Sequence, residues 1–376
     1  MRVLSLEAQD FRNLREVRMQ PSESLNLIFG DNAQGKTNLL EAIWCCTGCR
    51  SFRGAKEKDY IRLKSQAMHL KIRFADSRRT QEIQLHMAKS DGRQKKILLN
   101  GVPLRGGSGL FSQFQCVIFS PDDRELIRGG PERRRGFMDL CGSQLTPKML
   151  GCIRQFDQLT AQRNAVLKQI ALGTAQRSDL SLWDMQLAAY GSLLTCLRYA
   201  YVKRLADVCE KLYGGITGGT ESLSVKYRSN IFKNSEIPDR PTEDMKQYYF
   251  EQLCKSAEDD IRLGFTAKGA GRDDFSCKIG GLSVREYGSQ GQQKSTALVL
   301  KLAQASVFCD TKEETPVILL DDVMGELDAK RQRLVYEIIQ NMQIFLTTCQ
   351  PESIGQEQTG RGKVFFMQDG ALSDSE

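Results

Sequence analysis

The stretch from Leu25 to Ile43 leaves the fewest options for how this chain can fold. Leu25-Asn26-Leu27-Ile28-Phe29 is an apolar strand pattern, and Gly30-Asp31-Asn32-Ala33-Gln34-Gly35-Lys36-Thr37 matches G-x-x-x-x-G-K-[ST]. Leu39, Leu40, Ala42 and Ile43 then fall on one side of a helical pattern. A strand, a glycine-rich turn and a helix in that order surround a phosphate with backbone N–H groups. Gly30 and Gly35 allow the angles that turn consecutive N–H groups, those of Asp31, Asn32, Ala33 and Gln34 among them, toward an anion. Lys36 supplies a mobile positive charge for β/γ-phosphates, Thr37 a hydroxyl for Mg²⁺, and the helix its positive end. The ligand implied is a nucleoside triphosphate.

A second half of the same site is expected far downstream. Val317-Ile318-Leu319-Leu320 runs into Asp321-Asp322, a buried-strand pattern ending in carboxylates, which is how P-loop proteins hold Mg²⁺ opposite the phosphate loop. Asp321 is assigned to the metal together with Thr37; Asp322, with Lys36, is assigned to catalysis, Asp322 orienting or deprotonating the attacking water. Upstream, Gly288-Ser289-Gln290-Gly291-Gln292 precedes a helix expected over 295–308, and Ser289, Gly291 and Gln292 are read as a second phosphate-binding helix end. One nucleotide already has its cradle in the P-loop, so this second end is most useful to another subunit's nucleotide. Asp328 is placed as the N-cap of a helix through Met342.

A chain of 376 residues with 40% hydrophobic content suggests two domains, or one domain with a large insertion. No apolar run reaches a membrane span and the N-terminus does not read as a signal peptide, so a cytosolic protein is expected, its twelve cysteines free thiols. Cys45, Cys46 and Cys49 lack a second pair at ligand spacing and are not assigned to a metal. Residues 3–29 read as two strands around a turn, with Arg12 and Asn13 beside the phosphate loop; Met68 to Ile118 reads as strands, with Asn100-Gly101 as a hairpin turn. His69 and His86 read as ordinary strand residues. From Gln144 to Tyr213 the period is helical, 217–241 reads as a connector, 242–263 as helix, and strands return from Gly264. The net charge of +7 is bunched at Arg78-Arg79, Arg93 with Lys95-Lys96, and Arg133-Arg134-Arg135, which favours a polyanionic partner. Asp139 lies within helical reach of Arg135 and is a candidate partner for it.

The order of P-loop, long insertion, S-x-G-Q, apolar strand with two aspartates and L-D resembles the ABC-type ATPase heads of SMC-like DNA-repair proteins, and within them the RecF family. The resemblance is carried by Asp10–Leu14, Gly30–Ile43, Gly48–Arg53, Phe119–Asp123, Gly130–Arg135 with Met138-Asp139, Gly288–Lys294, Leu319–Val323 and Glu326–Asp328. It implies an α/β, mixed-sheet P-loop head over 1–122 and 264–376, interrupted by a mainly helical arm over 123–263. It also implies an ATP- and Mg²⁺-dependent homodimer that grips DNA, with Arg133, Arg134 and Arg135 as candidate contacts and Arg12 and Asn13 beside the nucleotide. The function implied is recombinase loading at single-strand gaps in repair, replication restart and the SOS response, with RecR and RecO as partners, in the cytoplasm at the nucleoid. The family's Gly-Pro-His-Arg-Asp-Asp run reads Gly269-Ala270-Gly271-Arg272-Asp273-Asp274 here, so a looser loop is expected and the histidine's role is not carried over. A histidine after the last core strand is also absent, Thr347 and Thr348 standing there, and slow, DNA-stimulated hydrolysis is expected. Two other readings remain open: the ATPase head of a nuclease or anti-phage complex, and a DNA clamp with negligible turnover.

Overall fold

The computed structural model describes residues 1–89, 95–111, 113–233, 236–349 and 362–374. In chain order come β1 (Arg2–Phe11), β2 (Leu14–Met19), β3 (Leu25–Phe29), α1 (Lys36–Cys45), β4 (Ala67–Ala75), β5 (Thr80–Ala88), β6 (Lys95–Leu99), β7 (Val102–Pro103) and β8 (Cys116–Phe119). They are followed by α2 (Glu125–Arg128), α3 (Pro131–Leu145), α4 (Pro147–Ala171), α5 (Ser181–Thr217), β9 (Leu223–Arg228), α6 (Glu243–Leu263), β10 (Asp274–Ile279), β11 (Leu282–Ser283) and α7 (Val284–Tyr287). The chain closes with α8 (Gln290–Lys312), β12 (Val317–Asp321), α9 (Ala329–Ile339), β13 (Ile344–Thr348), β14 (Lys363–Gln368) and β15 (Ala371–Asp374). Two compact units emerge, one of Met1–Asp123 with Leu298–Glu376 and one of Arg124–Ala297.

The first unit holds two six-stranded sheets, ordered β2-β1-β4-β5-β6-β7 and β15-β14-β3-β13-β12-β8. In the first, β4 and β5 alternate buried and outward residues, as expected of an antiparallel sheet with one covered face. In the second, β8, β12 and β13 are buried along their whole length and pair in parallel, which is why they read as uninterrupted apolar runs. Gln343 fastens the start of β1 beside β13: its Oε1 accepts from the Val3 N–H at 2.6 Å, and its Nε2 donates to the carbonyls of Val3 at 3.0 Å and Ser22 at 2.7 Å. Asn100 and Gly101 take φ of 52° and 79° between β6 and β7, the left-handed pair that a two-residue hairpin needs. Residues 3–29 form three strands where two were expected, because Leu14–Met19 folds back on β1. His69 and His86 face one another across β4 and β5, as ordinary strand residues.

The second unit packs α4, α5 and α6 around Phe156, Leu187, Leu194, Tyr249 and Leu253. Arg163 of α4 ties the three helices, donating to Asp184 of α5 at 2.5 Å and Asp260 of α6 at 2.6 Å, all three side chains buried. This unit is not helical throughout. Leu223–Arg228, expected inside a connector, is β9, the edge of a three-stranded sheet ordered β11-β10-β9. The same pairing moves the expected boundary: strands do return after Gly264, but β10 pairs with β9, and the compact unit runs on to Ala297. The glycine- and asparagine-rich flanks hid a strand whose Val225 and Tyr227 side chains need a covered face.

Candidate nucleotide-binding site

The parallel order β3-β13-β12 explains why residues remote in sequence meet. Each strand runs in the same direction, so the P-loop after β3, Cys349 after β13 and the carboxylates at the end of β12 share one carboxyl edge. Gly30 takes φ 155°, and a Cβ there would stand 2.3 Å from the Met367 carbonyl oxygen. Gly35 takes φ 122° and would meet the Asn13 side chain at 2.9 Å. Ala33 at φ 64° completes the left-handed positions of the loop. Glycine is therefore required at both ends of the motif, by backbone angle and by space. Helix α1 opens at Lys36 with Gly35 as N-cap and no side-chain cap, so its first N–H groups are available to an anion.

Lys36 Nζ donates to the carbonyls of Gly30 at 2.6 Å and Asp31 at 2.8 Å and to Cys349 Sγ at 3.2 Å. The Thr37 hydroxyl donates to Asp321 Oδ1 at 2.8 Å, and Thr347 donates to the same oxygen at 3.0 Å. The two residues assigned to the metal thus converge on one point, as the sequence predicts. Burial pushes the Asp321 carboxyl above the usual aspartate range, against the pull of the Thr37 and Thr347 hydroxyls and the Arg53 charge. The donor set is oxygen only, and among the described residues no three acidic, histidine or cysteine side chains gather into a metal cage. One carboxylate and one hydroxyl, with phosphate and water completing the shell, is the set that suits Mg²⁺. Asp322 is exposed and takes φ 52°, and its N–H donates to Thr347 Oγ1 at 3.1 Å.

Asn13 and Arg12 stand where expected but are already engaged. Asn13 Nδ2 donates to the Ala33 carbonyl at 3.2 Å, propping the P-loop from beneath, while its Oδ1 accepts from Asn38 at 2.7 Å. Arg12 grips the buried Glu41 with Nε at 2.9 Å and Nη2 at 3.1 Å, donates to the Asp59 carbonyl and lies over the Tyr60 ring. Its geometry is that of a brace between α1 and residues 51–60, with Ser51 donating to the same Glu41. Asn32 is drawn in through its Oδ1, which accepts from Cys349 Sγ at 3.0 Å; Gln34 is clasped by the N–H groups of Asp369 and Gly370. Three members of the site escaped the sequence: Glu41, Cys349, and Arg53, which is exposed and donates to Asn38 at 3.0 Å. Glu41 and Arg53 lie inside stretches that carry the family resemblance; Cys349 follows directly on Thr348, and only the neighbour order of β13 gives it a place.

In the second unit, Ser289 and Gln292 cap α8 reciprocally. The Ser289 N–H donates to Gln292 Oε1 at 2.9 Å and the Gln292 N–H to Ser289 Oγ at 3.2 Å, so the helix begins at Gln290, ahead of the expected Ser295. Ser289 and Gly291 are exposed and Gln292 is half-buried, its Nε2 also donating to Glu221 at 2.8 Å.

The arginine cluster does not present three free charges. Arg134 is buried and pairs with Asp274 through Nε at 2.7 Å and Nη2 at 2.9 Å, while its Nη1 donates to the Gly129 carbonyl. Arg135 donates to the Asp273 carbonyl at 3.1 Å, and Asp139, its expected partner, instead takes Arg198 in a two-bond pair at 2.7 and 2.8 Å. Arg133 alone of the three is exposed. The loop expected to be loose is pinned at Ala270, which is fully buried, its N–H donating to Tyr249 Oη and its carbonyl accepting from Arg198. Of the other basic clusters, Arg78, Arg79 and Lys96 are exposed, Lys95 pairs with Glu57, and Arg93 lies outside the described residues.

Comparison with known proteins converges. Residues 2–372 match the RecF/RecN/SMC N terminal domain family. A DNA replication and repair protein RecF from Lachnospira eligens is 35% identical over 372 residues, 98% of either chain, and one from Desulforamulus reducens is 37% identical over the full length of both. A solved structure of the recombination mediator protein RecF with ATP, in the RecFOR pathway, superposes with a TM-score of 0.91 at 30% identity, covering 100% of this chain and 98% of that one. An Smc head domain from Pyrococcus furiosus shares the fold, with a TM-score of 0.55 at 15% identity over 100% of this chain and 96% of its own.

Proposed function

The chain belongs to the RecF family, and from that premise we propose that it is a DNA replication and repair protein whose ATP site works as a switch for assembly on DNA. The observation that carries the reading is the meeting of Thr37 with Asp321 at 2.8 Å beside the Lys36 cradle, at the carboxyl edge of β3, β13 and β12. Bound ATP would lie with its phosphates on the N–H groups of Gly30–Thr37. Thr37 and Asp321 would hold Mg²⁺, which neutralises charge on the phosphates, and the exposed Asp322 would orient or deprotonate the attacking water. Arg53 brings a further positive charge to the same rim. Ser289, Gly291 and Gln292 offer N–H groups and side chains to the γ-phosphate of a second copy, so that ATP binding closes a homodimer and loss of the γ-phosphate opens it. Turnover is slow and stimulated by DNA. The substrate is DNA at single-strand gaps, where the protein assists recombinase loading with RecO and RecR, in the cytoplasm.

The decisive experiment follows assembly rather than turnover. Ser289→Arg should bind ATP nearly normally yet fail to dimerise or hydrolyse, because its side chain fills the place of the phosphate. Light scattering with ATP, with ADP and without nucleotide checks it. A folded Ser289→Arg chain that binds ATP and still dimerises would mean that the Ser289–Gln292 turn is a helix cap and nothing more.

A further inference from the structure

The outer face of the β9–β10–β11 sheet gathers cations that form no ion pair among the described residues. On β9 the outward residues are Ser224, Lys226 and Arg228, and the register sets them opposite Lys278, Ser276 and Asp274 of β10. Ser283 of β11 lies opposite Lys278, and Arg285 stands two residues further on, in α7. The reverse face, Leu223, Val225, Phe275 and Cys277, is buried. Cations and hydroxyls alternate across the strand pair, with one carboxylate at the end. That carboxylate is spent, since both oxygens of Asp274 are taken by Arg134. Arg228 donates only to Ser276 Oγ, at 3.1 Å, and Lys226, Lys278 and Arg285 form no ion pair among the described residues. Glu286 is exposed beside Arg285.

No two cations face one another directly: Lys226 stands opposite Ser276, Lys278 opposite Ser224, and Arg228 opposite Asp274. Lys226 and Arg228 are about 6.8 Å apart along β9, and Lys226 and Lys278 are diagonal neighbours at about 7–8 Å. Cations so spaced do not converge on one small anion. They suit a ligand that repeats its negative charge, and serine hydroxyls between them are further phosphate donors. We propose that this sheet face, rather than the Arg133–Arg135 cluster, is a contact surface for the phosphate backbone of DNA. The proposal rests on the DNA-binding reading above and gives it a location: Arg134 and Arg135 are held within the unit, whereas Lys226, Arg228, Lys278 and Arg285 have charge to offer. Glu221, two residues before β9, accepts from both Gln292 at 2.8 Å and Tyr213 Oη at 3.0 Å, which ties the start of this strand to the exposed turn that caps α8.

The test uses the full chain with ATP and a gapped duplex of arbitrary sequence, titrated over a series of salt concentrations. Lys226→Gln/Lys278→Gln should weaken binding to all sequences alike and flatten the slope of log affinity against log salt by about two, roughly one per phosphate contact removed. ATP affinity and melting temperature should match the parent, and Lys226→Glu/Lys278→Glu should lose more. A parent that binds DNA with a steep salt slope which the double variant retains overturns this interface and leaves the DNA-binding function standing. A parent that does not bind DNA at all overturns both. Loss of slope in Arg133→Gln without loss in the double variant moves the contact to α3 and also overturns it.

Discussion

Asp321 and Asp322 are adjacent in the chain yet live in opposite surroundings, and their substitutions should separate accordingly. Asp321 is buried and takes hydroxyl hydrogen bonds from Thr37 and Thr347; Asp321→Ala should weaken ATP binding in the presence of Mg²⁺ far more than in its absence, which nucleotide titration with and without the metal reads directly. Asp322 is exposed, with φ 52°, a backbone that asparagine accepts about as readily as aspartate. Asp322→Asn should bind normally and hydrolyse roughly a hundredfold or more slowly, the scale of a lost general base. A normal turnover rate there would place water activation elsewhere. Lys36→Ala should abolish tight ATP binding, while Lys36→Arg should bind and not turn over, because a planar fork cannot replace a point charge between β- and γ-phosphates. The motif residues were legible because each position has a local reason: a left-handed angle, a hydroxyl, a charge. Cys349 and Glu41 were not, because what each does depends on which strand or loop lies beside it, and that order is not written locally.

Between elements, α3, α5 and the start of β10 are laced by charge: Arg134 with Asp274, Asp139 with Arg198, and Arg135 with the Asp273 carbonyl. The sequence singled out Gly130–Arg135 as a stretch that carries the resemblance and Gly269–Asp274 as a departure from the family run, but separately; only the fold makes them partners, one supplying two guanidiniums and the other the Asp274 carboxylate and the Asp273 carbonyl. Arg134→Ala should cost about 3 kcal/mol by leaving Asp274 without its partner, whereas Arg133→Ala should be nearly neutral, and urea denaturation distinguishes them. Asp273 adds a pH dependence. Its carboxyl is buried, accepts from Tyr227, from the Asn230 N–H and from Thr195, and burial raises it above the usual aspartate range despite those bonds. A folded-state value above the unfolded one contributes stability that is complete below the unfolded value and is lost as pH rises through the folded value. The destabilisation caused by Asp273→Asn should therefore be largest in acid and shrink toward neutral pH. A penalty that grows with pH would mean that the hydrogen bonds outweigh the burial.

At the scale of the molecule, the head interrupted by an insertion was legible from the change of period after the β8 turn. The far boundary was not, since the strands after Gly264 look alike whether they rejoin the head or pair with β9. Assembly belongs to this scale too: if ATP closes a dimer, the fraction dimerised should rise with ATP and fall as ADP replaces it. The strand β9 also has a consequence for how copies meet when no nucleotide is involved. Among the described residues it is a terminal strand of its sheet, and an edge strand that nothing covers is a template for the edge of another molecule. Lys226 and Arg228 stand on that edge, and their mutual repulsion with the same residues of an approaching copy is a guard against stacking. Replacing both with valine would leave a short, apolar, strand-forming segment. Such a chain should associate with rising protein concentration, indifferent to ATP and encouraged by salt, so that the positive face protects solubility whatever else it holds.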